Sequence, residues 1–477
     1  MLCPAESLLQ LLQRFIKNSI QIKKIHSLLI TNGYLLCTPN PWTATLLHNA
    51  LIRAYLNIHL PGTTLLLFTH MLSHNIPPNA HTFPSIAKAA AFHITPTLFD
   101  KPLHAQALKR GVLADPFVRT SFINLYARSG RVSFARKTFD EMPQKCIVSC
   151  NAMLDCFCKN GDMESAILFF EWMPVRDVYS WTSVVNGYGS NGCQKSAIWV
   201  FQQMILQMGL GDSLMKPNEA TFVSVLSACT NSAGTGVLPY GKQIHAYIIK
   251  NEDRLSAFLG TALITFYGKM GGLEYAIKVF RSMVKKELCT WNAMISSLAL
   301  NGKEKQALDM FDKVKVEGWC PNEVTFVAAL TACARAKLLK LGLEIFKSML
   351  PQFGIVPIME HYGCVVDLLG RAGLLEEAKD FIKKMPFKPD ASVLGALLSS
   401  CKLHGAIELG NEVAKQLLEL QPQQCGQYIT LSSIYAEAEK WDHATSLRNV
   451  MVGAGIKKPL AYSMVSSLVR GEELVSE

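Results

Sequence analysis

Few residues of this chain are spaced for catalysis or for metal binding. Cys401 and His404 have the spacing of half a zinc site, but no second pair of ligands stands nearby to complete it. The zinc-deaminase signature, H-x-E with a later P-C-x-x-C, is missing in both halves. Glu317 and the Glu376–Glu377 pair lack a partner for acid–base work, and no nucleophile–base motif or phosphate-binding loop occurs. We therefore expect a protein that is not an enzyme and that uses no metal or other cofactor.

The composition describes a basic chain that is rich in apolar residues. Of its 477 residues, 47 are Lys or Arg and 37 are Asp or Glu, which gives a formal charge of +10 and suits a polyanionic partner. No apolar run reaches the length of about 18 residues that a membrane span needs, so we predict no membrane partner. The 14 cysteines form no CxxC pair, and Cys229 and Cys333 recur in the similar apolar strings LSAC and LTAC. This usage is typical of buried free thiols in a reducing compartment.

A glycine is followed five residues later by an alanine at six places. An apolar residue follows four positions after each alanine, and a methionine or valine follows three positions later, so these side chains share one helical face. Several of the pairs recur at intervals of 31 residues, which indicates a solenoid of stacked helical hairpins. The pairs are Gly130/Ala135, Gly161/Ala166, Gly192/Ala197, Gly271/Ala276, Gly302/Ala307 and Gly373/Ala378.

Glycine and proline mark the predicted ends of the helices. The first helix of a unit ends at an Asn-Gly pair or a similar pair, because glycine adopts the left-handed conformation at low cost just past a helix end. The second helix often closes at a proline, which cannot continue a helix. These prolines are Pro143, Pro174, Pro217, Pro321 and Pro389.

These features resemble plant pentatricopeptide-repeat proteins of the PLS type, in which repeats of three lengths alternate. The string HYGCVVDLLGRAGLLEEAKDFIKKM, from His361 to Met385, is similar to the last L–S junction of that family. The competing tetratricopeptide repeat is disfavoured, because its W-x2-L-G-x2-Y opening is not found in the array. The resemblance implies an all-α fold, a superhelical solenoid of helix-turn-helix repeats with tetratricopeptide-like hairpins at the C-terminus.

The resemblance divides the chain into four parts. Residues 1–44 combine the basic bias of an organelle-targeting leader with a degenerate helical repeat, since an amphipathic pattern begins by Ser7. Residues 45–390 form an array of about ten repeats, residues 391–457 resemble the E1 and E2 hairpins of organelle RNA-editing factors, and residues 458–477 are a degenerate tail. The predicted repeats are 45–79, 80–115, 116–146, 147–177, 178–218, 219–256, 257–287, 288–322, 323–358 and 359–390.

In this family the fifth and the last residue of a repeat read one RNA base together. An aspartate in the last position can accept a hydrogen bond from the ring N–H of uracil or guanine, and an asparagine can donate to the bare ring nitrogen of cytosine or adenine. The resemblance further implies that a fifth-position Asn favours pyrimidines and that Thr favours purines. The implied pairs are Asn49/Asn79, Pro84/Asp115, Thr120/Cys146, Asn151/Asp177, Thr182/Asn218, Val223/Ser256, Thr261/Glu287, Asn292/Asn322, Val327/Ile358 and Gly363/Asp390.

Four of these pairs match the family pattern fully. Thr120 and Thr261 indicate purines, but Cys146 and Glu287 depart from the pattern. Val223 and Val327 stand in the fifth position, where a valine cannot hydrogen-bond a base. Their repeats, which have the L length, are therefore expected to act as spacers or to stack. The alternative for any single Asn or Thr is a helix N-cap or simple exposure, although the recurrence at four pairs favours RNA. The predicted bases are U for Asn151/Asp177, A for Thr182/Asn218, and C with U tolerated for Asn49/Asn79 and Asn292/Asn322.

The resemblance implies recognition of an organellar transcript for C-to-U editing. The array is expected to bind single-stranded RNA upstream of a target cytidine. The C-terminal hairpins are expected to recruit a deaminase carried by another protein, such as a deaminase-bearing repeat protein or another editing-complex protein. Two alternatives stay open: a splicing or transcript-stabilising factor that uses the same groove, and a protein-binding scaffold. We expect the mitochondrion as the location, with the chloroplast as the alternative.

Overall fold

The computed structural model of the chain describes residues 4–15, 18–35, 41–93, 95–209, 216–231, 237–252 and 254–456. All regular structure in these segments is helical. The contacts between residues group the chain into two compact units, unit 1 (Met1–Asn231) and unit 2 (Ser232–Glu477). The predicted tail at 458–477 lies outside the described residues. No helix in the described part of the chain combines the length and the apolar character needed to cross a bilayer.

Unit 1 consists of helices that follow one another as helix-turn-helix pairs. The first helix of each pair packs against the first helix of the next pair, as in the series α5, α7, α9, α11 and α13. The helices are α1 (Pro4–Arg14), α2 (Ser19–Thr31), α3 (Pro41–Asn57), α4 (Pro61–Ser73), α5 (Thr82–Ala91), α6 (Asp100–Lys109), α7 (Pro116–Arg128), α8 (Val132–Asp140), α9 (Ile147–Lys159), α10 (Met163–Trp172), α11 (Val178–Ser190), α12 (Gln194–Gly209) and α13 (Glu219–Asn231). Short 3-10 turns lie at Pro96–Leu98 and Val112–Ala114.

Unit 2 repeats this arrangement. Its first helices pack in the series α15, α17, α19, α21, α23 and α25, and the second helices α16, α18, α20, α22 and α24 each contact the first helices on either side in the chain. The helices are α14 (Leu238–Asn251), α15 (Ala257–Lys269), α16 (Leu273–Ser282), α17 (Leu288–Leu300), α18 (Glu304–Val316), α19 (Glu323–Arg335), α20 (Leu339–Phe353), α21 (Met359–Arg371), α22 (Leu375–Lys383), α23 (Ala391–His404), α24 (Ile407–Leu420), α25 (Cys425–Glu437) and α26 (Trp441–Gly453).

The glycine–alanine pattern builds these pairs. All six glycines have a left-handed backbone with φ between 70° and 84°, and each lies in the turn between a first and a second helix. All six alanines are fully buried, because a small side chain lets the second helix approach its neighbours closely. The predicted all-α fold of stacked helix-turn-helix repeats is therefore confirmed within each unit. The predicted burial of Cys229 and Cys333 is also confirmed, and burial raises the pKa of these thiols to about 12 and about 11.

Asparagines at the ends of first helices join consecutive repeats. Asn301 Nδ2 donates to Ser297 O in its own helix at 2.7 Å and to Gly268 O, near the end of α15, at 2.7 Å. Asn160 and Asn191 make the same double contact, with distances of 2.8 to 3.1 Å. A helix end leaves carbonyl groups without partners in its own helix. These amides satisfy such groups across the repeat boundary and so fix the spacing of the first helices.

Half-buried histidines also link consecutive repeats. His26 Nδ1 lies 2.8 Å from Tyr55 Oη, and His245 Nδ1 lies 2.9 Å from Tyr267 Oη. Each histidine is on a second helix and each tyrosine is on the following first helix. This contact gives a physical reason for the recurrence of the dipeptide Ile-His at residues 25–26 and 244–245. Burial lowers the pKa of both histidines, so both are neutral at neutral pH.

Acidification is expected to destabilise unit 1 through His48. This side chain is fully buried on α3, and desolvation lowers its pKa from 6.5 to about 4, with smaller contributions in the same direction from His26, His70 and His74. The unfolded chain takes up the proton near pH 6.5 and the folded chain only near pH 4. The free energy of unfolding is therefore complete above pH 6.5 and falls between pH 6.5 and 4, by up to about 1.4 kcal/mol per pH unit.

Thermal denaturation at pH 7.5, 6.5 and 5.5 measures this effect. The variant His48→Gln should show a weaker dependence of the melting temperature on pH than the wild type. The matched control is His443→Gln, since His443 is exposed. Equal pH dependence in the wild type and both variants would contradict this role of His48.

Candidate nucleic-acid interface

Several of the predicted last-position residues cap the N-terminus of the following first helix. Asp177 Oδ1 accepts from Ser180 N at 2.8 Å, and Asn322 Oδ1 accepts from Thr325 N at 3.1 Å. The same type of bond is made by Asn79 to α5, by Asn218 to α13 and by Asp390 to α23. The N-cap alternative that applies to any single residue is thus observed at these positions. A cap uses one side-chain atom, so the second terminal atom of each amide or carboxylate stays available.

Three of the predicted pairs are joined into a three-residue cluster, which we call a polar triad. Each polar triad contains a fifth-position Asn on a first helix, the cap of the next first helix, and the Ser or Thr three residues after that cap. The two pair members are joined by a bond from the Asn Nδ2 to the cap Oδ1. The polar triads are Asn49–Asn79–Thr82, Asn151–Asp177–Ser180 and Asn292–Asn322–Thr325.

The polar triad of α17 and α19 shows the geometry. Asn292 Nδ2 donates to Asn322 Oδ1 at 3.1 Å. The Thr325 hydroxyl lies 2.8 Å from Asn292 Oδ1 and 2.9 Å from Asn322 Oδ1. Asn292 is only 5% exposed and Thr325 is fully buried, whereas Asn322 is half-buried. The inner atoms are thus removed from water and satisfied by one another, and the cap forms the outer edge of the cluster.

The cap atom that remains differs in type between the polar triads. Oδ1 of Asp177 accepts from Ser180 N and from Asn151 Nδ2 and lies 2.8 Å from the Ser180 hydroxyl, whereas within the described residues its Oδ2 has only a 3.4 Å contact with Asn151 Nδ2. Oδ1 of Asn322 is engaged in the same way, so its Nδ2 is the remaining group. Asp177 therefore offers an acceptor to an incoming base and Asn322 offers a donor.

The pairs with a fifth-position threonine have a different geometry. The Thr182 hydroxyl lies 2.7 Å from the Thr221 hydroxyl and 2.7 Å from Val178 O. In the described structure, no hydrogen bond joins Thr182 to Asn218. The Thr261 hydroxyl likewise lies 3.1 Å from the Thr290 hydroxyl. A threonine is shorter than an asparagine and does not reach the cap, which leaves more room beside the cap for a base.

Two further predicted pairs are likewise not joined by a hydrogen bond among the described residues. The Thr120 hydroxyl donates to Pro116 O at 2.7 Å in its own helix, and Cys146 Sγ lies 3.7 Å from Ser149 Oγ. Asp390 caps α23, but its partner position holds Gly363, which has no side chain to offer. The geometry that could discriminate bases is thus strongest at the three polar triads and at the two threonine steps.

Exposed apolar side chains stand two residues after many of the caps, and the sequence reasoning did not single them out. Phe117, Val148, Tyr179, Phe258 and Val324 are between 54% and 77% exposed. Such flat or branched apolar groups can stack on bases without regard to their identity. The available signal was the recurrence of an apolar residue two positions after the predicted last residue of a repeat.

The position of Tyr179 relates these apolar groups to a polar triad. Its hydroxyl donates to Asp155 Oδ2 at 2.9 Å. Asp155 lies one turn after Asn151 on α9, so the Tyr179 ring lies along the helix face that carries Asn151. Lys159, one turn further on, pairs with Asp155 at 3.3 Å.

Basic residues recur near the C-terminal ends of first helices. They lie eight residues after the fifth position and therefore on the same helix face. Arg371 pairs with Asp367 at 2.8 Å, and Arg335 donates to Leu300 O at 3.3 Å. Within each unit, these basic residues form a row of positive charge that suits a polyanion. The residues are Arg128 and Lys159 in unit 1 and Lys269, Arg335 and Arg371 in unit 2.

The Cys401–His404 pair does not form part of a metal centre in the described structure. Cys401 is fully buried, and burial raises the pKa of its thiol to about 11, whereas His404 is exposed. Among the described residues, no group of three or more His, Cys, Asp or Glu side chains is placed to hold a metal ion.

The chain is 49% identical over 461 residues to the pentatricopeptide repeat-containing protein At1g10330 of Arabidopsis thaliana, and the match covers 97% of each chain. The chain belongs to the pentatricopeptide repeat family. A second relative, the pentatricopeptide repeat-containing protein At5g59200, chloroplastic, of the same plant, is 43% identical and covers 88% of this chain and 74% of its own length.

Family models match segments on both sides of the boundary between the units. The PPR repeat model matches 117–147, 148–178, 179–207, 261–288 and 360–388, and the PPR repeat family model matches 286–335. The E motif model matches 404–465, which places this pentatricopeptide repeat protein in the E subclass. These are repeat and motif families and not enzyme families. The crystal structure of PPR10 from maize is similar, with 16% identity, a TM-score of 0.46, and coverage of 95% of this chain and 70% of that chain.

The capping role of Asn322 can be measured separately from any binding role. Asn322→Ala removes the acceptor for Thr325 N–H and should cost about 1 kcal/mol in local stability, which corresponds to about fivefold faster amide exchange in the first turn of α19. Asn322→Asp keeps a cap and should leave this exchange nearly unchanged. Hydrogen exchange followed by mass spectrometry measures both variants, with α23 as the internal control. Equal exchange in the two variants would rule out the cap.

Proposed function

We propose that this pentatricopeptide repeat protein binds single-stranded RNA and recognises one base at each reading step. The observation that carries this proposal is the remaining cap atom of each polar triad, which is an acceptor at Asp177 and a donor at Asn322. The Watson–Crick edges of bases differ in this respect, because uracil and guanine carry a ring N–H and cytosine and adenine do not. The row of basic residues and the net charge of +10 support contact with phosphates.

The geometry supports a specific assignment at several steps. Asn151/Asp177 is proposed to recognise U, because a fifth-position Asn favours a pyrimidine and the Asp177 acceptor favours a base with a ring N–H. Asn292/Asn322 and Asn49/Asn79 are proposed to recognise C, with U tolerated. The shorter Thr182 beside Asn218 suits a larger base with a bare ring nitrogen, which is A, and Thr261 suits a purine. Thr120 and Asp390 are assigned to RNA contact as well, although among the described residues neither is hydrogen-bonded to the other member of its pair.

An isosteric exchange at one cap tests the proposal. Asp177→Asn keeps an oxygen to cap α11 but replaces the remaining acceptor by a donor, so the preferred base should change from U to C. A mismatched base costs about 1–3 kcal/mol in comparable protein–DNA contacts, so the ratio of the two affinities should change by about tenfold or more. Binding of the full chain to RNAs that differ only at that base gives the ratio.

The reciprocal variant is the matched control. Asn322→Asp should change the preference at its own step from C toward U and leave the preference at the Asp177 step unchanged. An unchanged ranking of bases in both variants would refute the proposed recognition, and a folded protein without measurable RNA affinity would refute RNA binding altogether.

We further propose that bound RNA is presented for C-to-U editing and that the C-terminal hairpins recruit a deaminase held by another protein. The match to the E motif at 404–465 supports this role. The capping pattern changes in this region, since Gln424 at the start of α25 makes no side-chain cap bond. Large apolar side chains are exposed there, including Trp441 and Val452 on α26, which suits a protein partner. Splicing or transcript stabilisation is the second candidate role.

An organelle is the proposed location. The relative At5g59200 is named chloroplastic, and a third relative, ELI1 of Arabidopsis thaliana, is also named chloroplastic. These names support an organellar destination in general. The mitochondrion is our first expectation for this chain, and the chloroplast is the alternative.

Surface variants of α26 test the recruiting role without disturbing the fold. Trp441 and Val452 are eleven residues apart and so share one helix face. Trp441→Ala combined with Val452→Ala should leave RNA affinity within about twofold of wild type, because neither residue contacts a polar triad. The same variant should fail to restore editing in a null mutant, as read from organelle cDNA against genomic DNA.

The matched control is Trp172→Ala, which removes an equally exposed tryptophan from α10. This control should restore editing. Point variants are preferred to deletion of residues 391–477, because Val365 and Ala378 share a buried core with Val393 and Leu397. Full restoration of editing by the α26 variant would contradict the recruiting role. Restored editing together with a splicing or stability defect would favour the second candidate.

A further inference from the structure

A buried hydroxyl accompanies every fifth-position side chain that can hydrogen-bond. Each predicted repeat with Asn or Thr in the fifth position is followed by a repeat with Ser or Thr in the third position. The pairs are Asn49 with Thr82, Thr120 with Ser149, Asn151 with Ser180, Thr182 with Thr221, Thr261 with Thr290 and Asn292 with Thr325. All six of these hydroxyl-bearing residues are fully buried.

The repeats whose fifth residue is Val, Pro or Gly lack this hydroxyl. The residue in the third position of the next repeat is then apolar or a histidine. These combinations are Pro84 with Val118, Val223 with Leu259, Val327 with His361 and Gly363 with Val393. A cap needs no hydroxyl at its third position for stability, since Asp115, Ser256 and Asp390 cap their helices without one. The hydroxyl therefore follows the fifth-position side chain and not the cap.

We infer that the third-position hydroxyl is a positioning residue for base recognition, which holds the fifth-position side chain of the preceding repeat in the orientation that reads RNA. This inference rests on the proposed function. It adds a third residue to the steps at which the hydroxyl contacts the fifth-position side chain, which are the three polar triads and the Thr182 and Thr261 steps. At the Thr120 step the structure gives no such contact, because Thr120 bonds to Pro116 O and Ser149 bonds to Cys146 O.

The geometry of the polar triads shows how the hydroxyl acts. The Thr325 oxygen accepts from Asn322 N at 3.1 Å, so its single proton is directed into the polar triad. Asn292 Oδ1 lies 2.8 Å from that oxygen and accepts the proton. The Asn292 carbonyl is therefore held inward, and its Nδ2 points to the cap and the outer edge. The corresponding distances are 2.7 Å from Ser180 Oγ to Asn151 Oδ1 and 2.7 Å from Thr82 Oγ1 to Asn49 Oδ1.

Reversal of the Asn292 amide is unfavourable because of the cap. A reversed Asn292 would place its Oδ1 against Asn322 Oδ1 at about the 3.1 Å that now separates Nδ2 from that oxygen, with no proton between them. Without the hydroxyl, the inward Asn292 Oδ1 would be a buried acceptor with no partner, which is costly. The side chain would then rotate so that this oxygen reaches water, and its Nδ2 would leave the position that faces the base.

Two substitutions, each assayed at two steps of the full-length protein, test the inference. Thr325→Val and Ser180→Ala each remove one hydroxyl with little change in shape. The probe is a set of single-stranded RNAs in which the base at the Asn292/Asn322 step or at the Asn151/Asp177 step is varied over all four bases. At its own step, Thr325→Val should reduce the affinity for C relative to the affinity for a purine by about fivefold or more. The base preference at the other step should stay unchanged. Ser180→Ala should give the reverse pattern.

The conservative variants Thr325→Ser and Ser180→Thr retain the hydroxyl and should retain discrimination. A purely structural role would reduce the affinity for all bases equally at both steps, and that result would overturn the inference. Unchanged discrimination at the altered step would overturn it as well. If the wild type discriminates at neither step, the proposed function itself fails and the inference fails with it. If the wild type discriminates between bases and the variants discriminate equally well, the inference fails but the proposed function stands.

Discussion

The start of each first helix is the point on which both the stack and the proposed recognition depend. A helix N-terminus leaves backbone N–H groups that need acceptors. At the three polar triads the acceptor is a side chain that also bonds to the preceding repeat, as Asn322 bonds to both Thr325 N and Asn292 Nδ2. One residue thus begins a helix, joins two repeats and forms the edge of the candidate site. The cap cannot be exchanged freely, because any replacement must still satisfy the helix.

This coupling explains why the reading positions are preorganised. The fifth-position asparagines of the polar triads are almost completely buried and hold two or more hydrogen bonds each, so they are fixed before RNA arrives. Under the proposed function, each of these side chains loses little conformational entropy when RNA binds, because few alternative rotamers are open to it. At the opposite end of the first helices, the bonds from Asn160, Asn191 and Asn301 to the preceding repeat fix the spacing between steps.

Much of the fold could be predicted from the sequence because the signals were periodic. The glycine–alanine pattern placed the turns and the buried faces, and helices α7, α9, α11 and α15 begin at or one residue after the starts of the predicted repeats. The pairing of fifth and last residues came from the family resemblance. The structure adds the contacts that join Asn49, Asn151 and Asn292 to their caps.

Other features could not be predicted, because they depend on contacts between residues far apart in the chain. The buried hydroxyls of Thr82, Ser180 and Thr325 are ordinary helix residues in sequence, and their role becomes visible only where they meet the preceding repeat. The placement of Tyr179 also depends on such a contact, since its hydroxyl bonds to Asp155 on the helix that carries Asn151. In the described structure, no hydrogen bond joins Thr120 to Cys146. This depends on how far the two side chains reach, which the spacing of residues in the sequence does not give.

Selection of binders from a pool of random single-stranded RNA tests the central claim most directly, because it assumes no target. Within unit 1, the pairs Asn151/Asp177 and Thr182/Asn218 belong to consecutive predicted repeats, and Asn49/Asn79 lies three repeats before the first of them. The account predicts enrichment of neighbouring U and A, with C three positions from the U on the side away from the A. Enrichment of unrelated sequences, or no enrichment from a folded protein, would contradict it.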